Sequence, residues 1–161
     1  KLDFIEEKKY LGTIGAVKLL KTNKKYIYIS NCDVYANVDY IDLLRHHSKN
    51  NNDITILTSM KDYQVPYGVF NINEKGYVKN IVEKPTNQFL VNTGIYIINT
   101  ELKKIIPKNV EFTVNDLINK CISKGKKIGI VPIFSAQWTD IGEWDQYEEK
   151  YKISKINLWD Y

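Results

Sequence analysis

Two aspartates follow strand-like runs at widely separated points of the 161-residue sequence, and their chemistry suits a metal site. Asp33 ends a run that begins at Tyr26 and reads Tyr-Ile-Tyr-Ile-Ser-Asn-Cys-Asp, and Asp140 stands in Trp-Thr-Asp-Ile-Gly, which begins at Trp138. Acidic groups at the C-terminal ends of strands in an open α/β sheet lie at the edge where such folds bind ligands. Two carboxylates brought together there can hold a divalent cation against phosphate oxygens. The pair therefore indicates phosphate or nucleotide chemistry.

Each aspartate also has a purely structural interpretation. Asp33 suits the turn that would follow its strand, because aspartate is common in turns. Asp140 comes just before a predicted helix, whose N-cap it could supply. For either residue taken alone the two interpretations have equal weight. Two acids at equivalent positions of one sheet favour function.

The tripeptide Glu83-Lys84-Pro85, which closes another β-type run, is a third candidate. A carboxylate can accept hydrogen bonds from sugar hydroxyls, and a lysine ammonium can bind a phosphate as a point charge. For this tripeptide alone, a solvated strand end is the more common explanation.

The segment from Leu11 to Ala16 reads Leu-Gly-Thr-Ile-Gly-Ala and is a weaker signal. Glycines between a strand and a helix let the backbone approach a ligand, and a helix start favours anions. The Gly-Lys-Ser/Thr ending of a P-loop is absent, and a structural turn is the simpler explanation.

The remaining reactive side chains are weaker candidates for a functional site. His46 and His47 are adjacent on a predicted helix, so their side chains diverge and cannot chelate one ion, and we expect both at the surface. Cys32 has no convincing histidine partner in the sequence, which argues against a thiol nucleophile.

Predicted strands and helices alternate along the chain, which indicates an α/β fold with a mixed sheet and flanking helices. The predicted strands are 2–7, Tyr26–Ser30 (of the kind buried in a parallel sheet), 54–60, 68–73, 77–82, 89–99 and 128–133; the helices are 14–21, 39–50, 101–106, 115–123 and 144–151. Gly76 lies between strands 68–73 and 77–82 and predicts a small antiparallel hairpin. Asp39 is predicted to be the N-cap of helix 39–50, and Gly125 is predicted to end helix 115–123.

The composition is that of one ordinary domain, with 43% hydrophobic and 26% charged residues. The net charge of +4 comes from scattered lysines, which argues against a nucleic-acid partner. No run approaches membrane-spanning length, so we expect no membrane partner. Two distant cysteines predict neither a disulfide framework nor a metal knuckle, and they point to a reducing compartment, the cytoplasm.

Six motifs occur in the order seen in one enzyme family. They are Leu-Gly-Thr-Ile-Gly-Ala-Val-Lys-Leu-Leu from Leu11, Ser-Asn-Cys-Asp from Ser30, Val-Pro-Tyr-Gly-Val from Val65, Val-Glu-Lys-Pro from Val82, Val-Asn-Thr-Gly-Ile-Tyr from Val91 and Thr-Asp-Ile-Gly from Thr139. In these motifs the chain resembles the sugar-phosphate nucleotidyltransferases, especially the mannose-1-phosphate guanylyltransferase-like branch. The resemblance implies a Rossmann-like, mostly parallel mixed sheet, and a single nucleotidyltransferase domain over residues 1–161.

The resemblance also implies a reaction in which an NTP and a sugar 1-phosphate give an NDP-sugar and pyrophosphate with Mg²⁺. GTP is the nucleotide of the most similar branch, and surface-glycan precursor synthesis is the expected role. The implied site residues are Asp33 and Asp140 at the metal, Gly12 and Thr13 near the nucleobase, Gly68 and Glu83 at the sugar, Lys84 at the sugar phosphate, and Asn92, Thr93 and Gly94 in the sugar pocket. Lys84, Asp33 and Asp140 would act in catalysis.

Two departures from the family pattern stand out. Cys32 replaces the glycine that usually precedes the first metal aspartate, and nothing before Lys1 supplies the Gly-rich loop that grips the triphosphate. We therefore expect a partial domain without its N-terminal strands, inactive alone, that pairs with that segment or forms a homo-oligomer. A non-catalytic sugar-nucleotide-binding or regulatory relative and an NDP-sugar-dependent glycosyltransferase remain the alternatives.

Overall fold

The computed structural model describes residues 2–142. Within them the strands are β1 (Tyr26–Ser30), β2 (Val34–Ala36), β3 (Ile54–Gln64), β4 (Val69–Ile72), β5 (Val78–Val82), β6 (Thr86–Asn99), β7 (Ile128–Phe134) and β8 (Trp138–Asp140). The helices are α1 (Gly12–Gly15), α2 (Tyr40–Lys49) and α3 (Val114–Ser123), with 3₁₀ helices at Ala16–Leu19, Thr100–Lys104 and Ser135–Gln137. None of these helices is long and apolar enough to cross a membrane.

The principal sheet has four strands in the order β1-β6-β3-β7. Strands β3 and β7 are parallel neighbours, whereas β6 pairs antiparallel with both β1 and β3. Three of the four strands therefore point the same way, and β6 runs against them. The predicted α/β fold with a mixed sheet is confirmed. The apolar run Tyr26–Ser30 was assigned to a parallel environment, but its pairing is antiparallel, because apolar content does not encode the direction of a neighbouring strand.

Strand β6 supplies both faces of the sheet with core residues, because successive side chains of a strand point to opposite sides. Ile95 and Ile97 pack in one cluster with Leu43 of α2, and Tyr96 and Ile98 pack in the other, which includes α3. One helix therefore covers each face. Each fully buried Ile or Leu contributes about 1.5–3 kcal/mol, so these clusters fix the sheet that carries the site.

Both longer helices begin with side-chain caps. Asp39 Oδ1 accepts hydrogen bonds from the N–H groups of Ile41 (2.7 Å) and Asp42 (3.3 Å), as predicted for α2. Thr113 and Asp116 form a reciprocal capping box at the start of α3. At its other end, Gly125 follows with φ +65°, the left-handed conformation that favours glycine.

Strands β3 and β6 extend beyond the principal sheet as a long two-stranded ladder, which reaches the pair Gln64–Thr86. Between them the chain forms the predicted β4–β5 hairpin, with Gly76 at its turn. A register shift between Ile56 and Thr58 of β3 produces a β-bulge in β6 around Gly94. This bulge lies where the site is built.

Three predicted elements differ from the structure. Residues 2–7 form no strand, and Leu2 and Phe4 are 86% and 93% exposed, because no described strand offers their backbone a partner. The predicted helix 14–21 is replaced by α1 and the 3₁₀ helix Ala16–Leu19, since Gly15 within it lowers the helix propensity. The predicted helix 101–106 is a 3₁₀ helix, Thr100–Lys104. The predicted helix 144–151 lies outside the described residues.

The surface position predicted for His47 is wrong. Its ring is fully buried at the end of the sheet where β3 begins and β6 ends. Nδ1 lies 2.8 Å from Thr55 Oγ1, and Nε2 lies 3.2 Å from Asn99 Oδ1. Burial lowers the pKa of His47, although its hydrogen bond to Asn99 acts in the opposite direction. Because α2 packs this face inwards, only His46 of the pair is exposed.

Candidate active site

The structure brings Asp33 and Asp140 together through a short strand pair. Strands β2 and β8 are antiparallel, with Val34 opposite Asp140. The N–H of Ile141 donates to the carbonyl oxygen of Asp33 at 2.7 Å, which extends this contact to the aspartate itself. Two residues that are over a hundred positions apart in the sequence are thus held side by side by backbone hydrogen bonds.

Gly142 lies between the two carboxylates. A methyl group added at this glycine would be 3.1 Å from Asp140 Oδ1 and 3.2 Å from Asp33 Oδ2. The N–H of Gly142 donates to Asp140 Oδ1 at 3.0 Å, which orients that carboxylate. Asp33 is exposed and Asp140 is half-buried, so both are accessible to a ligand.

The two carboxylates fit a hard divalent cation. Magnesium ions are commonly bound by one or two carboxylates, with water and substrate phosphates completing the octahedron. Within residues 2–142 there is no group of three or more His, Cys, Asp or Glu side chains that could hold a metal ion without such help. The donor set is therefore suited to a cation that arrives with, or is shared by, a phosphate ligand.

The β6 bulge connects the carboxylates to the rest of the site. Gly94 has φ +81°, and its carbonyl oxygen accepts a hydrogen bond from the N–H of Asn31 at 3.0 Å. A methyl group at Gly94 would lie only 2.7 Å from the Asn31 side chain, so glycine is required here. The indole N–H of Trp138 donates to the carbonyl oxygen of Thr93 at 3.1 Å. The segments that carry Asp33 and Asp140 are thus both attached to one bulge.

Thr93 and Asn92 have different surroundings. The Thr93 side chain is 1% exposed, and its hydroxyl donates to the carbonyl oxygen of Leu57 at 2.7 Å, which fixes the bulge. Asn92 is exposed; its Nδ2 donates to the Tyr96 hydroxyl at 2.6 Å and its Oδ1 accepts from the N–H of Gly94 at 3.1 Å. Asn92 is therefore the member of this motif whose polar side chain can reach a ligand.

A cleft of about 250 Å³ opens beside Asn92. Its lining is Thr13, Asn31, Asn92, Tyr96, Thr113, Val114 and Asn115. Burial raises the pKa of the Tyr96 hydroxyl, against the opposing effect of its hydrogen bond with Asn92, so the phenol is a neutral polar group here. We call this space the polar cleft. Its lining is rich in neutral hydrogen-bonding groups, which suits a nucleobase or a sugar.

Gly12 and Thr13 are fixed against the start of α3. Thr13 Oγ1 accepts a hydrogen bond from the N–H of Val114 at 3.1 Å. Gly12 has φ +76°, and a methyl group there would be 2.7 Å from the carbonyl oxygen of Phe112. The glycine therefore allows the close packing that places Thr13 in the wall of the polar cleft.

Gly68, Glu83 and Lys84 form a separate group at the base of the β4–β5 hairpin. A methyl group at Gly68 would lie 3.0 Å from Glu83 Oε2, and the N–H of Lys84 donates to the carbonyl oxygen of Tyr67 at 3.2 Å. Lys84 has φ +44°, uncommon for a residue with a side chain. Strained backbone of this kind clusters at functional sites.

The site residues implied by the resemblance thus fall into three groups. The carboxylates and the polar cleft are joined through Asn31, whereas the hairpin group is connected to them by the β3–β6 ladder. The sequence did not identify five lining residues of the polar cleft, which are Asn31, Tyr96, Thr113, Val114 and Asn115. The first two belong to the quoted motifs, which was the available signal. The other three lie at the start of α3 and carry no motif.

Comparison with known proteins identifies the family to which the chain is similar. The family model described as Nucleotidyl transferase matches residues 1–155. Mannose-1-phosphate guanylyltransferase catalytic subunit beta of Drosophila melanogaster is 32% identical over 105 residues, which cover 61% of this chain and 28% of that protein. Glucose-1-phosphate adenylyltransferase of Acetivibrio thermocellus is 27% identical over 94% of this chain and 40% of its own length. The chain spans less than half the length of either relative.

Solved structures agree. The crystal structure of HddC from Yersinia pseudotuberculosis superposes with a TM-score of 0.65 at 28% identity, covering 94% of this chain and 68% of that one. A second structure of HddC, complexed with GMP-PN, gives a TM-score of 0.64. The mixed sheet, the order of the motifs and the family match over nearly the whole sequence have one explanation. The chain belongs to the nucleotidyl transferase family.

Proposed function

We propose that the protein transfers a nucleotidyl group from an NTP to a sugar 1-phosphate, giving an NDP-sugar and pyrophosphate. The observation that carries this proposal is the convergence of Asp33 and Asp140 on Gly142, beside the polar cleft. A paired-carboxylate site suits phosphate oxygens, and a cleft lined by neutral polar groups suits a base or a sugar. The named relatives, which are sugar-1-phosphate nucleotidyltransferases, support the same reaction class.

Asp33 and Asp140 would hold the divalent cation, for which Mg²⁺ is the natural choice given two carboxylate donors. When bound, such an ion neutralises phosphate charge and aligns the phosphates. The β2–β8 pair holds the backbone of the two aspartates together, and the Gly142 N–H orients the Asp140 carboxylate. This preorganisation reduces the rearrangement needed when the ligand arrives.

The hairpin group would hold the sugar phosphate. Glu83 can accept hydrogen bonds from sugar hydroxyls, and the Lys84 ammonium can compensate the phosphate charge. Both side chains are exposed, and among residues 2–142 neither takes part in an ion pair. Gly68 leaves the space in which the Glu83 carboxylate lies. Asn92, whose side chain is oriented by hydrogen bonds with Gly94 and Tyr96, would also contact the sugar.

The chemical step is a phosphoryl substitution without a covalent enzyme intermediate. A phosphate oxygen of the sugar 1-phosphate attacks the α-phosphorus of the NTP, and the bridging bond between the α-phosphorus and the β-phosphate oxygen breaks. Pyrophosphate leaves with the electron pair of that bond. Positioning of the two phosphates and neutralisation of their charge supply most of the rate enhancement in reactions of this type.

For the substrates we propose GTP and a hexose 1-phosphate such as mannose 1-phosphate. The similarity to mannose-1-phosphate guanylyltransferases and the GMP-PN complex of HddC support GTP. Glucose-1-phosphate adenylyltransferases are also similar, so ATP with glucose 1-phosphate is the competing pair. The product would feed surface-glycan synthesis in the cytoplasm.

In the test, the full-length protein is incubated with Mg²⁺ and with each pair of NTP and sugar 1-phosphate. The amounts of pyrophosphate and NDP-sugar formed are measured together. We expect both products in equal amounts from GTP and mannose 1-phosphate. Release of NDP from an added NDP-sugar would instead identify a glycosyltransferase, and binding without any product would identify a non-catalytic relative.

The metal assignment is tested with D33N and D140N. Each should lower kcat/KM by at least about 100-fold, the usual cost of removing a group that stabilises charge in the transition state. D42N is the matched control, because Asp42 lies on α2 and forms an ion pair with the exposed Arg45. Full activity in D33N would contradict the assignment.

A further inference from the structure

A second cleft, of about 670 Å³, lies near the C-terminal end of α3, whereas the polar cleft lies at its N-terminal end. We call it the basic cleft. It is formed by the 3₁₀ helix Thr100–Lys104, the C-terminal half of α3 and the turn that leads into β7, and its lining is Glu101, Leu102, Lys104, Ile105, Lys120, Lys124 and Lys126. None of these residues belongs to the proposed catalytic site.

The basic cleft carries an excess of positive charge. Four lysines face a single carboxylate, that of Glu101. Lys126 already pairs with Asp53 at 3.2 Å, and the Lys120 ammonium lies 4.7 Å from the centre of the Phe112 ring. Among residues 2–142, no carboxylate lies within ion-pair distance of Lys104, Lys120 or Lys124. Lys120 acts on the Asp116 carboxylate only at longer range, and none of these three ammonium groups forms an ion pair in the described part of the chain.

The floor of the cleft is apolar. Leu102 is 2% exposed and belongs to the same core cluster as α3, while Ile105 packs against that cluster. This packing fixes the distance between the 3₁₀ helix and α3. The lysines consequently surround a concave surface of stable shape, and their long side chains can adjust above it. A concave, cationic surface concentrates anions more strongly than the same charges spread over a flat one.

We propose that the basic cleft binds a small molecule that carries two or more phosphate groups. A monoanion would compensate only one of the three unpaired ammonium groups, whereas a polyphosphate can contact Lys104 from one wall and Lys120 and Lys124 from the other. The volume is in the range of small-molecule sites. Lysine ammonium groups suit phosphates as point charges and impose no fixed fork geometry.

The site is distinct from the catalytic one but shares a helix with it. Thr113, Val114 and Asn115 at the start of α3 line the polar cleft, whereas Lys120 and Lys124 near its end line the basic cleft. This inference does not depend on the proposed function, because it rests on side chains outside that site.

The test is calorimetric titration of the full-length protein with inorganic tripolyphosphate in metal-free buffer. The double variant K104M/K124M should bind about tenfold more weakly, a change of about 1.4 kcal/mol, because two exposed charge contacts are lost. E101Q should bind more tightly, because it removes the negative charge of the cleft. K75M, in the exposed β4–β5 turn, is the control for net charge and should bind like the wild type.

K84A separates the basic cleft from the catalytic site. If tripolyphosphate bound at the catalytic site, K84A would weaken binding and K104M/K124M would not, and the proposal would be overturned. Equal weakening by K75M and by K104M/K124M would also overturn it, because binding would then follow net charge. Absence of tripolyphosphate binding by the wild type is the third contradicting result. Melting temperatures of all variants confirm that these exposed substitutions leave the fold intact.

Discussion

At the scale of single residues, the site depends on glycines whose missing side chains leave room for functional groups. Gly142 is the clearest case, because a side chain there would touch both candidate metal ligands. Gly94 and Gly68 similarly accommodate Asn31 and Glu83. A sequence pattern shows these glycines only as turn residues, and the structure shows which polar group each of them accommodates.

Gly142→Ala should weaken metal binding. Its methyl group, 3.1 Å and 3.2 Å from the two carboxylate oxygens, would force one or both to move by a few tenths of an ångström. Disturbed ligand orientation typically costs about 10–100-fold in metal affinity, so we expect about tenfold weaker Mn²⁺ binding by calorimetry. The same shift should appear as a higher Mg²⁺ requirement for activity.

Gly76→Ala is the control for this change. Gly76 has φ +83° and no atoms within 4 Å of an added methyl group, so its substitution strains the backbone at a distance from the metal site. It should lower stability by about 1–2 kcal/mol with unchanged Mn²⁺ affinity. Unchanged Mn²⁺ affinity in Gly142→Ala would show that the two carboxylates do not share one ion.

At the scale of elements, helix starts were predictable where a cap is encoded locally. Asp39 was identified from its position before an apolar helical face, and its side chain accepts two backbone hydrogen bonds. Asp39→Ala should lower the free energy of unfolding by about 1 kcal/mol, the usual cost of losing an N-cap. The measurement is urea denaturation at constant m-value.

Asp42→Ala is the matched control, because Asp42 lies in the first turn of the same helix. Its side chain makes an ion pair with Arg45, and both side chains are largely exposed (65% and 73%). Such pairs contribute at most about 0.5 kcal/mol. If both substitutions had the same effect, the loss would come from the helix dipole and not from the cap.

Elements that depend on distant partners were the ones predicted wrongly. Residues 2–7 have strand-like alternation, but a strand also needs a neighbour, and none lies beside them in the described structure. The apolar runs β1 and β6 were found as strands, whereas their antiparallel pairing was not encoded in either run. The bulge at Gly94 likewise arises from the register between β3 and β6. Local pattern identifies a strand; tertiary pairing decides its direction and length.

At the scale of the whole molecule, the candidate site was only partly readable from the sequence. The resemblance grouped Asp33 with Asp140 at the metal and Gly68 with Glu83 at the sugar, and the structure places each pair in contact or close to it. The walls of the polar cleft were not readable. The hydrogen bond from Val114 to Thr13 joins residues that are 101 positions apart, and the sequence of neither segment indicates that the two are in contact.

The two ends of the sheet have different polar chemistry, which affects the pH dependence of stability. The end that carries the candidate site has the accessible carboxylates of Asp33 and Asp140, whereas the other end buries a hydrogen-bonded network around His47, Thr55 and Asn99. In this network His47 is neutral, because burial lowers its pKa below the ordinary value of about 6.5. Nearby charges act in both directions: Asp53 raises this pKa, and His46 and Lys25 lower it.

The sign of the resulting effect follows from proton uptake. As pH falls below about 6.5, His47 in the unfolded chain binds a proton before the buried ring does, so the unfolded state is favoured. Stability is therefore fully present above pH 7 and decreases as pH falls below about 6.5. Asp53 affects stability in a lower pH range. Burial raises its pKa, but hydrogen bonds from Lys127 and Lys126 lower it, and the net result is a pKa below 3.8. The contribution of Asp53 to the free energy of unfolding is therefore lost only as pH falls below about 4.

Urea denaturation between pH 5 and 7.5 tests this assignment with His46 and His47 as a natural pair. His46→Gln should retain the wild-type decrease in stability below pH 6.5, because the His46 side chain is exposed. His47→Gln should be less stable at pH 7.5 by about 1–3 kcal/mol, the cost of disturbing a buried hydrogen-bonded group. It should also lose most of the decrease between pH 6.5 and 5, since glutamine does not titrate. A decrease that survives in His47→Gln but disappears in His46→Gln would assign the titration to the exposed ring.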